Sequence, residues 1–207
     1  MPSIYPLTTD GTIRNFIAGS PAWADVRNKV DGSVILISNT FIIVEANLFS
    51  GKADGFSIRR TFFEFDTTSI TATLASARFK LNMSSPVNNC RTIMVKSTAF
   101  TGGSGALVSA DFNNLDFSTP YSGESGIDAG GSQAIFEFIL NATALADIKN
   151  DDSLKIALIN FDYDYSDVAP SQTNRCSHST GNQNGVNRPE IAYVLATGYG
   201  NAVSGVA

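Results

Sequence analysis

Apolar and polar residues alternate with period two along most of this chain. In Ala77-Arg78-Phe79-Lys80-Leu81-Asn82-Met83 the odd positions are apolar and the even ones polar. Successive side chains of a strand point to opposite faces, so this is the pattern of a half-buried strand. Ser57 to Phe65 forms another candidate, with Phe63 and Phe65 on one face and Phe62 on the other. Ile93, Val95, Ser97 and Ala99 alternate with Lys96 and Thr98. Phe136, Phe138 and Leu140 alternate around Glu137, then Leu154, Ile156 and Leu158, and finally Ile191, Tyr193 and Leu195. Val34 to Ile37 and Phe41 to Leu48 read as a hairpin joined near Ser38 and Asn39. Clusters such as Gly51-Lys52-Ala53-Asp54-Gly55, Thr101-Gly102-Gly103-Ser104-Gly105 and Gly181-Asn182-Gln183-Asn184-Gly185 separate the strands with residues suited to turns.

Two segments change period. Asn141 to Lys149 has Leu145 and Ile148 three apart, with Asn141 or Thr143 as the cap of a short helix. Ser109 to Leu115 reads as one turn that lays Phe112 and Leu115 over an end of the fold. The pattern predicts an all-β chain, a two-sheet antiparallel β-sandwich of jelly-roll type with one or two short helices. Residues 1–197 are expected to form one domain and residues 198–207 a flexible or partner-ordered tail. Phe63, Phe65, Phe79, Leu81, Phe136, Phe138, Ile156 and Leu158 are the expected core. Trp23 is expected to anchor the N-terminal segment on the sandwich.

Composition narrows the functional classes. Charged residues make up 16% of the chain, below the usual share of about 25%, so Ser, Thr, Asn and Gly supply much of the polar surface. Such a surface suits an extracellular or virion protein that packs on neighbours. The net charge is −5 and no run of Lys or Arg occurs, which argues against nucleic-acid binding and against an electrostatic membrane anchor. No apolar stretch approaches a membrane span. Met1 to Thr9 lacks the basic start and apolar run of a secretory signal, and the expectation is a protein made and assembled inside a cell. Cys90 and Cys176 lie in no Cys-x-x-Cys pair. They read as two free thiols, with a single disulfide left open.

Few residues suggest chemistry. His178 is the sole histidine, without a second imidazole for zinc and without a Gly-x-Ser-x-Gly nucleophile. Glu64 and Glu137 alternate with core residues and so point outward, giving no catalytic pair with Asp66. No catalytic residue and no cofactor are assigned. Asp162, Asp164 and Asp167 lie in Phe161-Asp162-Tyr163-Asp164-Tyr165-Ser166-Asp167. Carboxylates two apart on a strand face are a calcium candidate, against the plainer reading of a solvated strand end. Tyr163 and Tyr165 in the same segment are candidate glycan-stacking rings. Arg60 within an aromatic strand, and Arg188 before the last strand, are expected to pin strand ends to loops, since a buried guanidinium needs acceptors.

Arg60-Thr61-Phe62-Phe63-Glu64-Phe65-Asp66, then Thr68-Ser69-Ile70, then Ser76-Ala77-Arg78-Phe79-Lys80-Leu81, resembles the DNRLRE-type domains. Those have an Arg-rich aromatic strand ending in Phe-Asp, a Ser-x-Ile turn and a Ser-Ala-x-Leu-x-Leu strand. Here Phe79 replaces the first Leu. Leu140 to Ile148, Leu154 to Asp162 and the Arg188-Pro189 step before Ile191 to Leu195 follow in the same order, so the resemblance covers about residues 10–197. Trp23-Ala24-Asp25-Val26-Arg27 after Ser20-Pro21 is similar to the start of versions in phage proteins. The resemblance implies a jelly roll, found both in carbohydrate-associated modules of secreted bacterial proteins and in phage structural proteins. The expectation drawn from it is a non-enzymatic virion component assembled in the host cytoplasm, such as a capsid-decoration, head-fibre or tail-associated protein. The alternative is an extracellular carbohydrate-binding module. The uncharged, two-faced apolar segments Val34 to Ile37 and Phe41 to Val44 add an expected homo-oligomer, a trimer by analogy with fibres, docked on other virion proteins and in contact with cell-surface glycan.

Overall fold

A computed structural model describes residues 1–7, 10–36, 41–49, 55–88, 90–126, 134–179 and 188–196. Its strands are β1 (Ser3–Ile4), β2 (Gly11–Ala18), β3 (Val34–Leu36), β4 (Phe41–Phe49), β5 (Gly55–Asp66), β6 (Leu74–Val87), β7 (Arg91–Ser97), β8 (Leu115–Pro120), β9 (Ser125–Gly126), β10 (Ala134–Ile139), β11 (Ser153–Asn160), β12 (Asn174–Ser179) and β13 (Glu190–Leu195). Helix α1 spans Trp23–Arg27 and α2 spans Ala142–Asn150, with 3-10 turns at Gly103–Gly105 and Ser109–Asn113. The fold is the expected all-β antiparallel sandwich. The first sheet is β1-β13-β6 with β10 on the other edge of β6. The second runs β2-β5-β11-β7-β8, with β3 beside β2. The long strand β6 continues through β12 and β4 into β5, which links the two sheets at a corner.

The alternation read from the sequence places the core. Phe63, Phe65, Ile156 and Leu158 of the second sheet meet Phe79, Leu81 and Phe138 of the first, and all are essentially without solvent contact. Phe136, expected in full burial, is partly buried at the margin. Register supports the packing, because Phe138 lies opposite Phe79, and Ile156 opposite Phe63. Helix α2 closes this core with Ala144 and Ile148. Asn141 is its cap, accepting the Ala144 N–H at 3.1 Å.

The central strands have a second buried face. Phe62, Ile58, Ala157, Ile159, Ile93 and Val95 point away from the first core into another one, closed by Val26 of α1 and by Phe100, Leu107 and Phe112. Phe112 is thus the cover that the period change around Ser109 suggests. Two covered faces explain why the alternation of β7 and β11 is interrupted by the apolar runs Ile93-Met94-Val95 and Ile156-Ala157-Leu158-Ile159, and why Phe62 and Phe63 stand side by side in β5. Trp23 packs edge-on to Phe56 with ring centroids 5.4 Å apart, anchoring α1.

The expected hairpin of Val34–Ile37 with Phe41–Leu48 does not form. β3 pairs with β2, placing Ile35 opposite Ile13, while β4 pairs with β5 and β12. The apolar residues of the two segments go to different places: Ile35 packs against the second core and Val44 is buried in the first. Ile37 and the Ser38–Asn39 joint lie outside the described residues, as do the side chains of Leu36, Phe41 and Ile42. So do the tail 198–207 and the turn clusters 51–54 and 181–185. His178, expected in a loop, has its backbone in β12 opposite Ile42, because β12 completes the corner between β6 and β4. The side chains of His178 and Cys176 lie outside the described residues. Cys90 is a buried free thiol.

Candidate functional site

The segment expected to carry calcium or glycan is not a strand end. Phe161–Tyr165 is a single π-helical turn leaving β11, started by the Asn160 side chain, which accepts the Tyr163 N–H at 3.0 Å. The turn sends its acidic residues in different directions. Asp162 accepts from Arg91, with Nε at 2.8 Å. Asp164 turns inward and is fully buried. Asp167 lies 3.5 Å from the Arg27 Nε. Each carboxylate of the calcium candidate thus faces a guanidinium, and among the described residues no three His, Cys, Asp or Glu side chains converge as a metal site. The two tyrosines do not form one platform. Tyr165 stacks on Phe161 at 5.7 Å and packs against the second core, while Tyr163 is half-buried.

Arg60 and Asp164 meet under this turn. Both side chains are fully buried. The Arg60 Nε and one terminal nitrogen each donate to an Asp164 oxygen at 2.8 Å. The remaining donors reach the carbonyls of Arg27 and Phe112, at 2.8 and 2.9 Å, and Asn113 Oδ1 at 3.1 Å. Five N–H groups therefore have five acceptors, which is the full capacity of a guanidinium. The Phe112 and Phe117 rings lie 4.2 and 5.3 Å away. This centre ties β5 to α1, to the 3-10 turn and to the π-helical turn. It is the pinning role expected of Arg60, with Asp164 as the partner. Arg188 does the same at the edge, lying over Tyr5 at 4.5 Å and donating to the Pro6 carbonyl at 3.3 Å.

Two further arrangements escaped the sequence. The first is an open polar cleft of about 520 Å³, lined among others by Lys96, Tyr121, Asp151, Asp152 and Lys155. Asp147 stands beside it, accepting from the Tyr121 hydroxyl and from Lys96 Nζ, the latter at 2.7 Å. Burial, and then the bond to Asp147, push the Tyr121 phenol far above its ordinary pKa, and the same carboxylate raises Lys96. The Tyr121 hydroxyl and the Lys96 ammonium thus share one carboxylate at the edge of the cleft. The second is the outer face of the first sheet. Glu137 on β10 meets Arg78 at 2.7 Å and Lys80 at 3.6 Å, and Lys80 also reaches Glu190 at 3.5 Å. Flanking Glu137, Ile135 and Ile139 are 59% and 69% exposed. Among the described residues β10 pairs only with β6. Glu64, on the other face of β5 from Phe63, lies 3.6 Å from Lys155.

Comparison with known proteins adds no relative. No protein-family model matches the chain, and no curated protein matches it with significance.

Proposed function

We propose that this chain is a non-enzymatic structural or interaction protein of a virus particle, a decoration, fibre or tail-associated component that associates through the outer face and edge of β10. The observation that carries the reading is the pair Ile135 and Ile139. An edge strand is ordinarily blunted by charge, Pro or cover, because its free N–H and C=O groups recruit other chains. β10 instead presents two large isoleucines to solvent beside a self-complementary row of charges. Apolar side chains with a polar rim are the make-up of a protein interface. The sandwich fold is compatible with the same reading, and the resemblance of the motif order to DNRLRE-type domains motivates it. With the expected hairpin absent, the contact surface falls on β10.

Sedimentation velocity of the full chain tests it. The protein is expected to be a concentration-dependent oligomer, and I135K/I139K a folded monomer. An isologous β10 contact closes as a two-fold dimer, whereas the expected trimer needs a head-to-tail contact, so the measured mass separates the two. A wild-type chain that is monomeric and absent from purified virions by mass spectrometry overturns the proposal.

The second reading, a carbohydrate-binding module, rests on the polar cleft. Its size falls in the usual range for small-ligand sites, and Asp151, Asp152, Lys96 and Lys155 offer acceptors and donors to sugar hydroxyls. A glycan array in which D151A/D152A loses a signal shown by the wild type favours this reading.

A further inference from the structure

The corner of the fold assembles a row of charge. Strand register sets Arg14 of β2 opposite Arg59 of β5, Arg59 opposite Glu45 of β4, and Glu45 opposite Arg175 of β12. Directly paired antiparallel residues share a sheet face, so all four side chains leave one face in file across four adjacent strands. Three guanidiniums accompany one carboxylate, an excess of two positive charges on a protein whose net charge is −5.

What separates this row from the Arg60 centre is its hydrogen bonding. Arg60 uses all five donors on protein acceptors. In the row, Arg59 Nε and Glu45 Oε1 stand 3.6 Å apart, too far for a hydrogen bond, and both atoms are buried with no hydrogen-bond partner among the described residues. Glu45 is 2% exposed. Arg14 places its Nε on Ser57 Oγ at 3.0 Å, and the Phe16 and Phe49 rings, 5.2 and 5.9 Å away, hold its guanidinium in place. Arg175 has no hydrogen-bond or ion-pair partner among the described residues. Burial presses on the Arg59 charge, Glu45 supports it, and Arg14 and Arg175 oppose it. A buried donor such as the Arg59 Nε, left unfilled, is costly in a fold held by structure alone. Unfilled guanidinium donors are what an oxyanion-binding site keeps in reserve.

We propose that Arg14, Arg59 and Arg175 form a binding site for a tetrahedral dianion, a phosphate or sulfate group, with Glu45 as the carboxylate that balances part of their charge when the site is empty. The excess of two charges matches a dianion, and planar guanidinium forks fit its oxygens. The site goes beyond the association surface on β10 and is independent of it.

Isothermal titration calorimetry on the full-length chain, in a low-salt buffer free of phosphate and sulfate, tests the site with three probes: inorganic phosphate, inorganic sulfate and glucose 6-phosphate. Saturable one-to-one binding is expected with at least one probe. Tighter binding of the ester identifies a phosphate carried on a larger molecule, and equal binding a free ion. R175Q, altered at the half-exposed end of the row, is expected to fold and to weaken binding by about tenfold or more, the share of a charge-assisted hydrogen bond. R59Q is expected to do the same. E45Q is expected to tighten binding, because it removes the competing carboxylate, whereas a purely structural role for Glu45 predicts no gain. Absence of saturable binding with all three probes, or affinity unchanged in R175Q and R59Q folded by circular dichroism, overturns the proposal.

Discussion

Replacing Asp164 by Ala removes one half of a charge pair that has no access to water. Both Arg60 and Asp164 side chains are at 0% exposure. The variant would leave the Arg60 Nε and one terminal N–H without acceptors and the guanidinium without a counter-charge, while its bonds to the Arg27 and Phe112 carbonyls hold it in place. Breaking a buried pair in this way costs about 3–5 kcal/mol, a large part of the ~5–15 kcal/mol that stabilises an ordinary domain. With a urea m-value of about 2 kcal/mol/M, the midpoint should fall by about 1.5–2.5 M. Urea unfolding followed by Trp23 fluorescence and by far-ultraviolet circular dichroism measures it, and an unchanged m-value keeps the comparison two-state. The double variant R60M/D164L supplies the control. It removes both charges, so it should be more stable than Asp164→Ala alone. A loss below about 1 kcal/mol for Asp164→Ala, or a double variant less stable than the single one, would refute the assignment of this pair as the pin of the second core.

Other perturbations probe the remaining layers. Phe138→Ala, at a side chain 2% exposed and 6.1 Å from the Phe79 ring, should cost about 3–5 kcal/mol in the same unfolding assay; a loss below about 1 kcal/mol would place Phe138 outside the packed core. The hydrogen bond from Arg78 holds the Glu137 carboxyl below the ordinary glutamate value, with burial acting against it. A depressed carboxylate stabilises the fold at neutral pH, and that contribution is lost as the pH falls through the lowered value. A carboxyl NMR titration should show the depressed midpoint, and Arg78→Ala should move it upward. A midpoint unmoved by that substitution would mean that the ion pair does not persist in solution.

The strands β5, β6, β7, β10, β11 and β13, and the first core, were legible from the sequence because alternation is a local property. A period of two assigns each side chain to a face before any partner is known. The same local reading narrowed the α2 cap to Asn141 or Thr143, and the structure places it at Asn141. β2 and β12 were missed because Thr12-Ile13-Arg14-Asn15 and Arg175-Cys176-Ser177 carry too few apolar residues to show a stripe. Their polar side chains are held by neighbours distant along the chain, as Thr12 is by Thr61 at 3.0 Å.

Pairing is not local, and there the sequence misled. Val34–Leu36 and Phe41–Phe49 are neighbours along the chain, but β5 is twelve residues long and offers edges to both β2 and β4. β3 went to the free side of β2 and β4 to β5, and these long-range pairings displaced the hairpin. The acidic run at 162–167 had the composition of a metal loop, and only the π-helical turn shows that Asp162 and Asp164 face different arginines. By itself, the sequence determined the inward and outward faces of the alternating strands, most of the first core and the need of Arg60 for a partner. Only the tertiary structure decided which carboxylate that partner is, and that Arg14, Glu45, Arg59 and Arg175 stand in one file. Electrostatic contacts act between side chains close in space, and a folded sheet brings together positions that no spacing along the chain connects.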